Sequence, residues 1–434
     1  MSDYLRPMRC ITTERLRDMI LPLRQRAEVR NRWLKQRLEE LLPKLMRREG
    51  FDMWIVIARE YNEDPVLLSL LPDTALSARR RTILLFYLPE NGSLERLMVY
   101  SFGADEFYKR VWDPSKEGQY ECLARLVKER NPRCIGINVS KTFAFGDGLT
   151  HSEYLQLRNA VGEEYMARTK SAERLAVGWL ETRIQAEIEA YPSIVEIAHA
   201  IIREAFSTQV IHPGITTTDD VVWWMRQKVL DLGLQSWFHP TISIQAASLA
   251  STQMGSGAQP LRKVILPGDL LHCDFGLVYL GLCTDTQQNA YVLKLGESDA
   301  PEGLKEALAK ANQLQDIHVG EFVAGRAGNQ ILAASLSKAK SEGIKPSIYT
   351  HPIGFHGHGA GPIIGLWDAQ GGVPGRGDYE LFDNTCHSIE LHIRHEIPEW
   401  GGQEIRFALE QDIVFTGGKV YWLGGRQKEL HLIG

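Results

Sequence analysis

Two aspartates, Asp274 and Asp285, lie eleven residues apart in an otherwise apolar stretch of the chain. This stretch predicts a hairpin of two short strands, and a turn centred between Tyr279 and Leu280 would place the two carboxylates directly opposite each other. Opposed residues of a hairpin have Cβ atoms roughly 4.5–5.5 Å apart, and burying unpaired like charges is strongly unfavourable. A cation between the carboxylates would remove that penalty. The pair therefore predicts a metal site, while a longer or bulged hairpin with one aspartate in a solvated turn is the alternative.

A glycine-rich segment, residues 350–361, supplies three candidate nitrogen ligands: His351, His356 and His358. Glycine allows the backbone to approach an ion closely, and imidazole is the commonest nitrogen ligand of metals in proteins. By itself this segment is an ambiguous signal, because histidines among glycines also occur on solvated surface loops.

Two glutamates complete the set, each on a predicted strand. Glu390 has apolar neighbours on both sides, and Glu410 shares one strand face with Arg406 and Asp412, opposite an alternating apolar face. A single strand glutamate is more often an ion-pair partner than a ligand, but four carboxylates and an imidazole on neighbouring strands are not explained as surface charge. Oxygen and nitrogen donors without thiolate suit Mn(II), Co(II), Zn(II) or Fe(II) better than Ca(II). Four carboxylates would balance two divalent ions.

These motifs resemble the pita-bread metalloaminopeptidases, the family of methionine aminopeptidase, Xaa-Pro aminopeptidase and prolidase. The resemblance covers about residues 170–434 and preserves the order of five ligands. It rests on the segments Asp274-Phe-Gly, Thr284-Asp285-Thr286, His358-Gly-Ala-Gly, Ser388-Ile389-Glu390 and Glu410-Gln-Asp-Ile-Val-Phe-Thr416. It implies an α+β fold, in which a C-terminal pita-bread (creatinase/aminopeptidase) domain with a curved antiparallel sheet follows a smaller α/β N-terminal domain.

The resemblance also implies roles for individual residues. The metal ligands would be Asp274, Asp285, His358, Glu390 and Glu410, with His356 as a rival to His358. Glu390 would also accept the proton of the attacking water. His351 would be a catalytic donor beside the oxyanion, with a plain turn histidine as the equal alternative. The substrate side would involve His356, Trp367 and Arg406.

The sequence departs from the family pattern on the substrate side. The family's upstream auxiliary histidine has no counterpart, since Met254–Ala258 occupies that stretch, and Trp367 is nearest to the position of a second substrate-side histidine. Leu391 stands where the peptidases often carry proline, and Ala408 stands where prolidases carry arginine. The metal chemistry is thus more strongly indicated than the identity of the substrate.

Bulk properties are those of a globular chain with two domains, predicted here as residues 1–170 and 171–434. The sequence has 434 residues, a net charge of −5 and six scattered cysteines without a C-x-x-C pair. This composition argues against a nucleic-acid binder, a membrane span, a disulfide scaffold and a zinc knuckle. No phosphate loop or G-x-S-x-G nucleophile elbow is present. The N-terminus lacks an apolar leader, which favours a cytoplasmic location.

The leading functional hypothesis is a dinuclear metallohydrolase, an aminopeptidase or dipeptidase of Xaa-Pro type that acts on short peptides through a metal-bridging hydroxide. Two divalent cations are expected, with manganese first and cobalt, zinc or iron as alternatives. The resemblance further implies a homodimer. Two other hypotheses stay open: hydrolysis of another C–N or ester bond at the same site, and a catalytically weak metal-binding protein.

Overall fold

The computed structural model describes residues 13–100, 103–247 and 263–434. Packing of the described residues gives two compact units, one within Pro22–Ile184 and a larger one that combines the described parts of Met1–Leu21 and Gln185–Gly434. The domain limits predicted from the sequence, 1–170 and 171–434, remain a prediction, since compact packing does not establish independent folding.

The described residues contain eleven α-helices. Their bounds are α1 Thr13–Met19, α2 Leu23–Gln36, α3 Leu42–Glu49, α4 Leu67–Leu70, α5 Gln119–Arg130, α6 His151–Met166, α7 Glu173–Glu181, α8 Gln185–Ala205, α9 Thr218–Asp231, α10 Glu302–Val319 and α11 Gly328–Ser341. A π-helical turn, Arg37–Leu41, joins α2 to α3. Across the described ranges, we find no helix with the length and apolar character that a membrane crossing requires.

The strands form one sheet in each unit and a small hairpin. Their bounds are β1 Met53–Arg59, β2 Arg81–Tyr87, β3 Glu95–Met98, β4 Lys109–Arg110, β5 Ile135–Ile137, β6 Thr169–Ser171, β7 Thr241–Gln245, β8 Leu270–Phe275, β9 Val278–Tyr279, β10 Leu282–Cys283, β11 Thr286–Val292, β12 Pro346–Ile348, β13 His351–Ile353, β14 Thr385–Ile397, β15 Gln403–Thr416, β16 Lys419–Trp422 and β17 His431–Ile433.

The smaller unit contains a six-stranded sheet in the order β4-β3-β2-β1-β5-β6. Strand β1 is fully buried over most of its length and pairs antiparallel with β2 and parallel with β5. Leucines at helical spacing predict a helix over residues 31–47 with Gly50 as its end, and the structure has α2, the π-helical turn and α3 there. Gly50 ends α3 with a φ of 75°, the left-handed conformation common at helix C-termini.

The larger unit contains a nine-stranded sheet whose main path is β12-β14-β15-β11-β8-β7. Strands β14 and β15 are long antiparallel neighbours. Alternate residues of each, such as Leu391 and Leu409, are buried in one core with residues of α10 and α11. The opposite face of the same strands carries Glu390 and Glu410. The mixed architecture with an antiparallel sheet confirms the predicted fold class.

Helices α10 and α11 lie among the strands of the larger unit. The sequence from Ser236 to the end predicts mainly strands and glycine-rich loops, and the structure adds two helices there, Glu302–Val319 and Gly328–Ser341. Their buried faces combine leucines with alanines, for example Leu304, Ala307 and Ala311. Because alanine adds little to an apolar pattern, the helical repeat is weaker here than in α8. In that helix the apolar spacing predicts residues 184–206, and the structure has Gln185–Ala205.

Candidate metal centre

The hairpin that carries the two aspartates has a different register from the predicted one. Strands β9 and β10 pair Tyr279 with Leu282, so the loop is Leu280-Gly281. Both loop residues have positive φ, 53° and 77°, as a type I′ turn requires. Asp274 is consequently opposite Gln287 and not opposite Asp285. The expectation of directly opposed aspartates is therefore wrong, because the turn is centred between Leu280 and Gly281, one residue later than predicted. Asp285 still lies on the same side of the hairpin as Asp274.

A single register row brings the acidic side chains together across four adjacent strands. Asp274 on β8 pairs with Gln287 on β11, Gln287 pairs with Glu410 on β15, and Glu410 pairs with Glu390 on β14. Neighbouring strands are about 4.8 Å apart. Residues in one row therefore project their side chains from the same face within mutual reach.

Carboxylates of this row and side chains next to it form three overlapping groups, and within each group the possible ligand atoms lie within 4.8 Å of one another. The groups are Asp274, Asp285 and Glu410; His351, Glu390 and Glu410; and Asp285, His351 and His358. All five ligands predicted from the sequence thus come together, and His351 joins them.

The three histidines of the glycine-rich segment occupy different positions. His351 is 5% exposed on β13, and its Nε2 lies 3.3 Å from Glu410 Oε1 and 3.6 Å from Asp285 Oδ2. His358 is exposed, with its ring 4.7 Å from that of His351 between centroids. His356 is half-buried and belongs to none of the three groups.

The loop between His356 and His358 depends on glycine at position 357. A Cβ atom at Gly357 would lie 2.3 Å from the ring of Trp237, which itself packs edge-on to His358. The indole Nε1 of Trp237 donates to the carbonyl of Thr284 at 2.8 Å, next to Asp285. This tryptophan therefore connects the histidine loop to the aspartate hairpin.

The other residues predicted on the substrate side lie outside the ligand groups. Arg406 is half-buried on the acidic face, and its Nη2 donates to the hydroxyl of Tyr349 at 2.6 Å. Trp367 is 59% exposed in the turn between Leu366 and Ala369. The segment Met254–Ala258, where the auxiliary histidine is missing, lies outside the described residues.

Burial and mutual repulsion both raise the pKa values of the carboxylates. Burial raises the pKa of Asp274, Asp285 and Glu390 well above the usual range, and the charge of Glu410 raises each of them further. Oδ1 of Asp274 and Oδ1 of Asp285 are both buried without a hydrogen-bond partner among the described residues. A buried carboxylate oxygen without a donor is unfavourable, so this donor set fits divalent cations.

Several polar residues around the ligands were not predicted from the sequence. Asp412 Oδ2 accepts the backbone N–H of Asp285 at 3.1 Å, and Ser388 Oγ donates to Glu410 Oε1 at 2.8 Å. His272 lies two residues before Asp274 and therefore on the same strand face. The sequence contains a signal for His272, because a residue two positions from a predicted strand ligand lies on the same face as that ligand.

The comparisons with known proteins agree with this geometry. The model of metallopeptidase family M24 matches residues 189–416, more than half of the chain. The chain belongs to metallopeptidase family M24. The match confirms the family resemblance drawn from the motifs, and it includes every residue of the three ligand groups.

Individual relatives of this M24 protein are distant in sequence and similar in fold. A putative Xaa-Pro aminopeptidase from Mycoplasma pneumoniae is 23% identical over 307 residues, which cover 70% of this chain and 77% of that protein. The crystal structure of an X-Pro aminopeptidase from Thermotoga maritima matches with a TM-score of 0.63 at 17% identity, covering 90% of this chain and 99% of that one. The structure of an Xaa-Pro dipeptidase from Bacillus anthracis matches with a TM-score of 0.59 at 19% identity, covering 92% of this chain and 99% of that one. At these identities the structural matches establish the fold alone.

Proposed function

We propose that this M24 protein is a peptidase of Xaa-Pro type, an aminopeptidase or dipeptidase that requires two divalent metal ions, with Mn(II) as the first candidate. One observation carries the proposal: four buried or half-buried carboxylates meet on one sheet face beside His351 and His358. Two divalent cations would offset four negative charges. The names of the relatives supply the Xaa-Pro class.

The three groups suggest how two ions would be held. Asp274, Asp285 and Glu410 would hold one ion, and Glu390, Glu410 and His351 would hold the other, with Glu410 shared between them. When bound, divalent ions at such a site lower the pKa of water and polarise the carbonyl that is attacked.

The hydrogen bonds of His351 favour it as a ligand over the donor role implied by the resemblance. Its Nδ1 lies 3.1 Å from the carbonyl oxygen of Pro352, which can only accept, so Nδ1 carries the proton. In a neutral ring the lone pair is then on Nε2, the atom next to Glu410 and Asp285. A ligand imidazole that donates its other N–H to a backbone carbonyl is a common arrangement. His358, more exposed, would face the substrate or share the same ion.

Glu390 is the proposed proton acceptor. Its carboxylate is half-buried and lies in the row of ligands, so it can receive a proton from the attacking water and return it to the leaving amine. Of the three carboxylates in the row, Glu390 and Asp274 are half-buried and Glu410 is buried.

Arg406 is the proposed contact for an anionic group of the substrate. Among the described residues its guanidinium has one hydrogen bond, to Tyr349, and no ion pair. Its charge lowers the pKa of Asp274 and Glu390, which places it within electrostatic range of the ligands. Cations bound to those carboxylates would leave the guanidinium uncompensated and available to a peptide carboxylate. Substrate contacts of His356 and Trp367 remain predictions.

Metal-resolved activity tests the proposed function. The protein is stripped with chelator, reloaded with Mn(II), Co(II) or Zn(II), and assayed on Xaa-Pro dipeptides and tripeptides. We expect metal to restore cleavage and Glu390→Gln to reduce it by about 10²–10⁴-fold, the usual contribution of a positioned acid–base group. Glu396→Gln, an exposed glutamate on the same strand, is the matched control and should retain full activity. Binding of two ions without cleavage of any peptide would shift the assignment to another amide or ester hydrolase, or to a metal-binding protein without activity.

We also propose a homodimer, as the family resemblance implies. Light scattering of the metal-loaded protein should give twice the chain mass of 49.0 kDa. A monomer over the working concentration range would contradict this part of the proposal alone.

A further inference from the structure

Gln287 lies at the centre of the ligand row and contacts both glutamates. Its side chain is 2% exposed. Nε2 donates to Glu390 Oε1 at 2.6 Å and to Glu410 Oε2 at 2.9 Å. These two glutamates are direct partners on β14 and β15, so one amide group connects the carboxylates of two adjacent strands.

The orientation of this amide follows from the chemistry of its neighbours. Carboxylates that bind a metal are ionised and only accept hydrogen bonds, so in the metal-binding form the NH₂ group of Gln287 faces the glutamates and its Oε1 faces away. Oε1 lies 2.8 Å from His272 Nε2, which must therefore carry the proton. His272 is 9% exposed on β8. The resulting chain of hydrogen bonds, from His272 through Gln287 to the two glutamates, crosses four neighbouring strands.

Two like charges directly opposite each other destabilise a sheet, and within the described part of the chain neither glutamate forms an ion pair with a lysine or arginine. The neutral amide supplies one N–H to each carboxylate and so takes up one oxygen of each. For Glu410 the other oxygen, Oε1, receives the hydroxyl of Ser388 and faces His351 Nε2. The hydrogen bonds of Gln287 thus determine which oxygens of the glutamates point at the histidine side of the site.

We propose that Gln287 is a positioning residue that holds Glu390 and Glu410 in their metal-binding orientation before metal arrives, and that His272 acts through it by fixing the amide. The inference rests on the proposed metal site, and it does not depend on which bond the protein hydrolyses. Removal of a hydrogen-bond partner behind metal ligands typically weakens metal affinity 10- to 100-fold.

The chain contains a matched control at the next residue. Gln288 is 5% exposed on the same strand, and its Oε1 is also bonded to an imidazole, His431 Nε2, at 2.7 Å. Because side chains alternate along a strand, this second glutamine–histidine pair faces away from the carboxylates. Gln287→Met and Gln288→Met remove the same group at similar burial from opposite faces.

The experiment is isothermal titration of the metal-free full-length protein with Mn(II). We expect Gln287→Met to weaken the tighter binding step at least tenfold, and Gln288→Met to change it less than about twofold, since its bond partner lies on the other face. Equal affinities for Gln287→Met and the wild-type protein would overturn the proposal. If Gln287→Met does not fold, Gln287→Asn retains an amide that is one methylene shorter, and its affinity must still fall well below that of Gln288→Asn.

A double-mutant cycle tests the part assigned to His272. His272→Phe removes the donor that orients the amide and should weaken Mn(II) binding by less than Gln287→Met does. The double variant should then be no weaker than Gln287→Met alone, because His272 acts only through Gln287. Fully additive losses would overturn this part. If the wild-type protein binds Mn(II) but cleaves no peptide, the proposed function is contradicted and the role of Gln287 is not. If Gln287→Met binds Mn(II) with normal affinity and cleaves peptides, the role of Gln287 is contradicted and the proposed function is not.

Discussion

Removal of metal should make the stability of this protein fall as pH rises. In the metal-free fold, burial first and the charge of Glu410 second raise the pKa of Asp285, and the same causes raise the pKa of Asp274 and Glu390. The folded protein then retains protons that the unfolded chain, with carboxyl pKa values near 4, has already released. Because the folded state binds more protons, the free energy of unfolding decreases with pH. One retained proton corresponds to about 1.4 kcal/mol per pH unit, or about 2.7 kcal/mol between pH 5 and pH 7.

The assay is urea unfolding at several pH values, with chelator or with saturating Mn(II). Buried histidines outside the ligand groups, such as His199 and His318, have pKa values lowered to about 3. They make the free energy of unfolding rise with pH from there to about 6.5 in both forms. The quantity to compare is therefore the difference between the metal-free and metal-loaded curves, in which this contribution cancels. Asp285→Asn removes one of the titrating groups and should reduce the difference. Parallel curves from pH 5 to pH 7 would refute the view that the site retains protons in the absence of cations.

Two other substitutions test packing and buried charge. Gly357→Ala should lose about 1–3 kcal/mol of stability, the usual penalty for overpacking, because its Cβ would collide with Trp237; thermal unfolding measures this, and an unchanged midpoint would show that the loop adjusts freely. Glu153→Gln should lose about 1.5–3 kcal/mol, the usual contribution of hydrogen bonds to a charged group, because Glu153 is 1% exposed and its carboxylate pairs at 2.7 Å with Arg81, whose side chain is 25% exposed. The control Glu163→Gln removes an exposed ion pair in the same unit and should change the free energy of unfolding by less than about 1 kcal/mol; equal losses in the two variants would contradict the importance of burial.

The sequence allowed the acidic face of β15 to be predicted because alternation needs no knowledge of the strand's partners. The apolar face that alternation predicts opposite Glu410 consists of Ile405, Phe407 and Leu409, and the structure buries these three residues in the core. The groups that depend on pairing between distant strands could not be predicted in this way. Gln287 is an example, since its contact with Glu390 follows from two register relations, β11 with β15 and β15 with β14.

The error in the hairpin register had a limited effect for a geometric reason. A shift of one residue in the centre of a turn changes each cross-strand partner by two residues. Because the side-chain repeat of a strand is also two, the new partner lies on the same face as the old one. Asp274 was therefore expected opposite Asp285 and is found opposite Gln287, with all three on the acidic side. The metal site could be predicted despite the wrong turn, while the residue between the glutamates was missed.

The turn itself gives a last prediction, because its first residue is unfavourable. A type I′ turn needs positive φ at both loop positions and favours Asn-Gly, but this chain has Leu280 at φ 53° before Gly281. A left-handed conformation is unfavourable by about 1–2 kcal/mol for most L-residues, and asparagine is among those that tolerate it. Leu280 is only half-buried, so Leu280→Asn gives up limited packing. We expect this variant to be more stable by about 1 kcal/mol in urea unfolding, with unchanged Mn(II) affinity because the register of β8 and β11 is retained. A less stable variant would indicate that the packing of Leu280 outweighs its backbone strain, and weaker Mn(II) binding would indicate that the turn sequence also controls the alignment of Asp274 with Gln287.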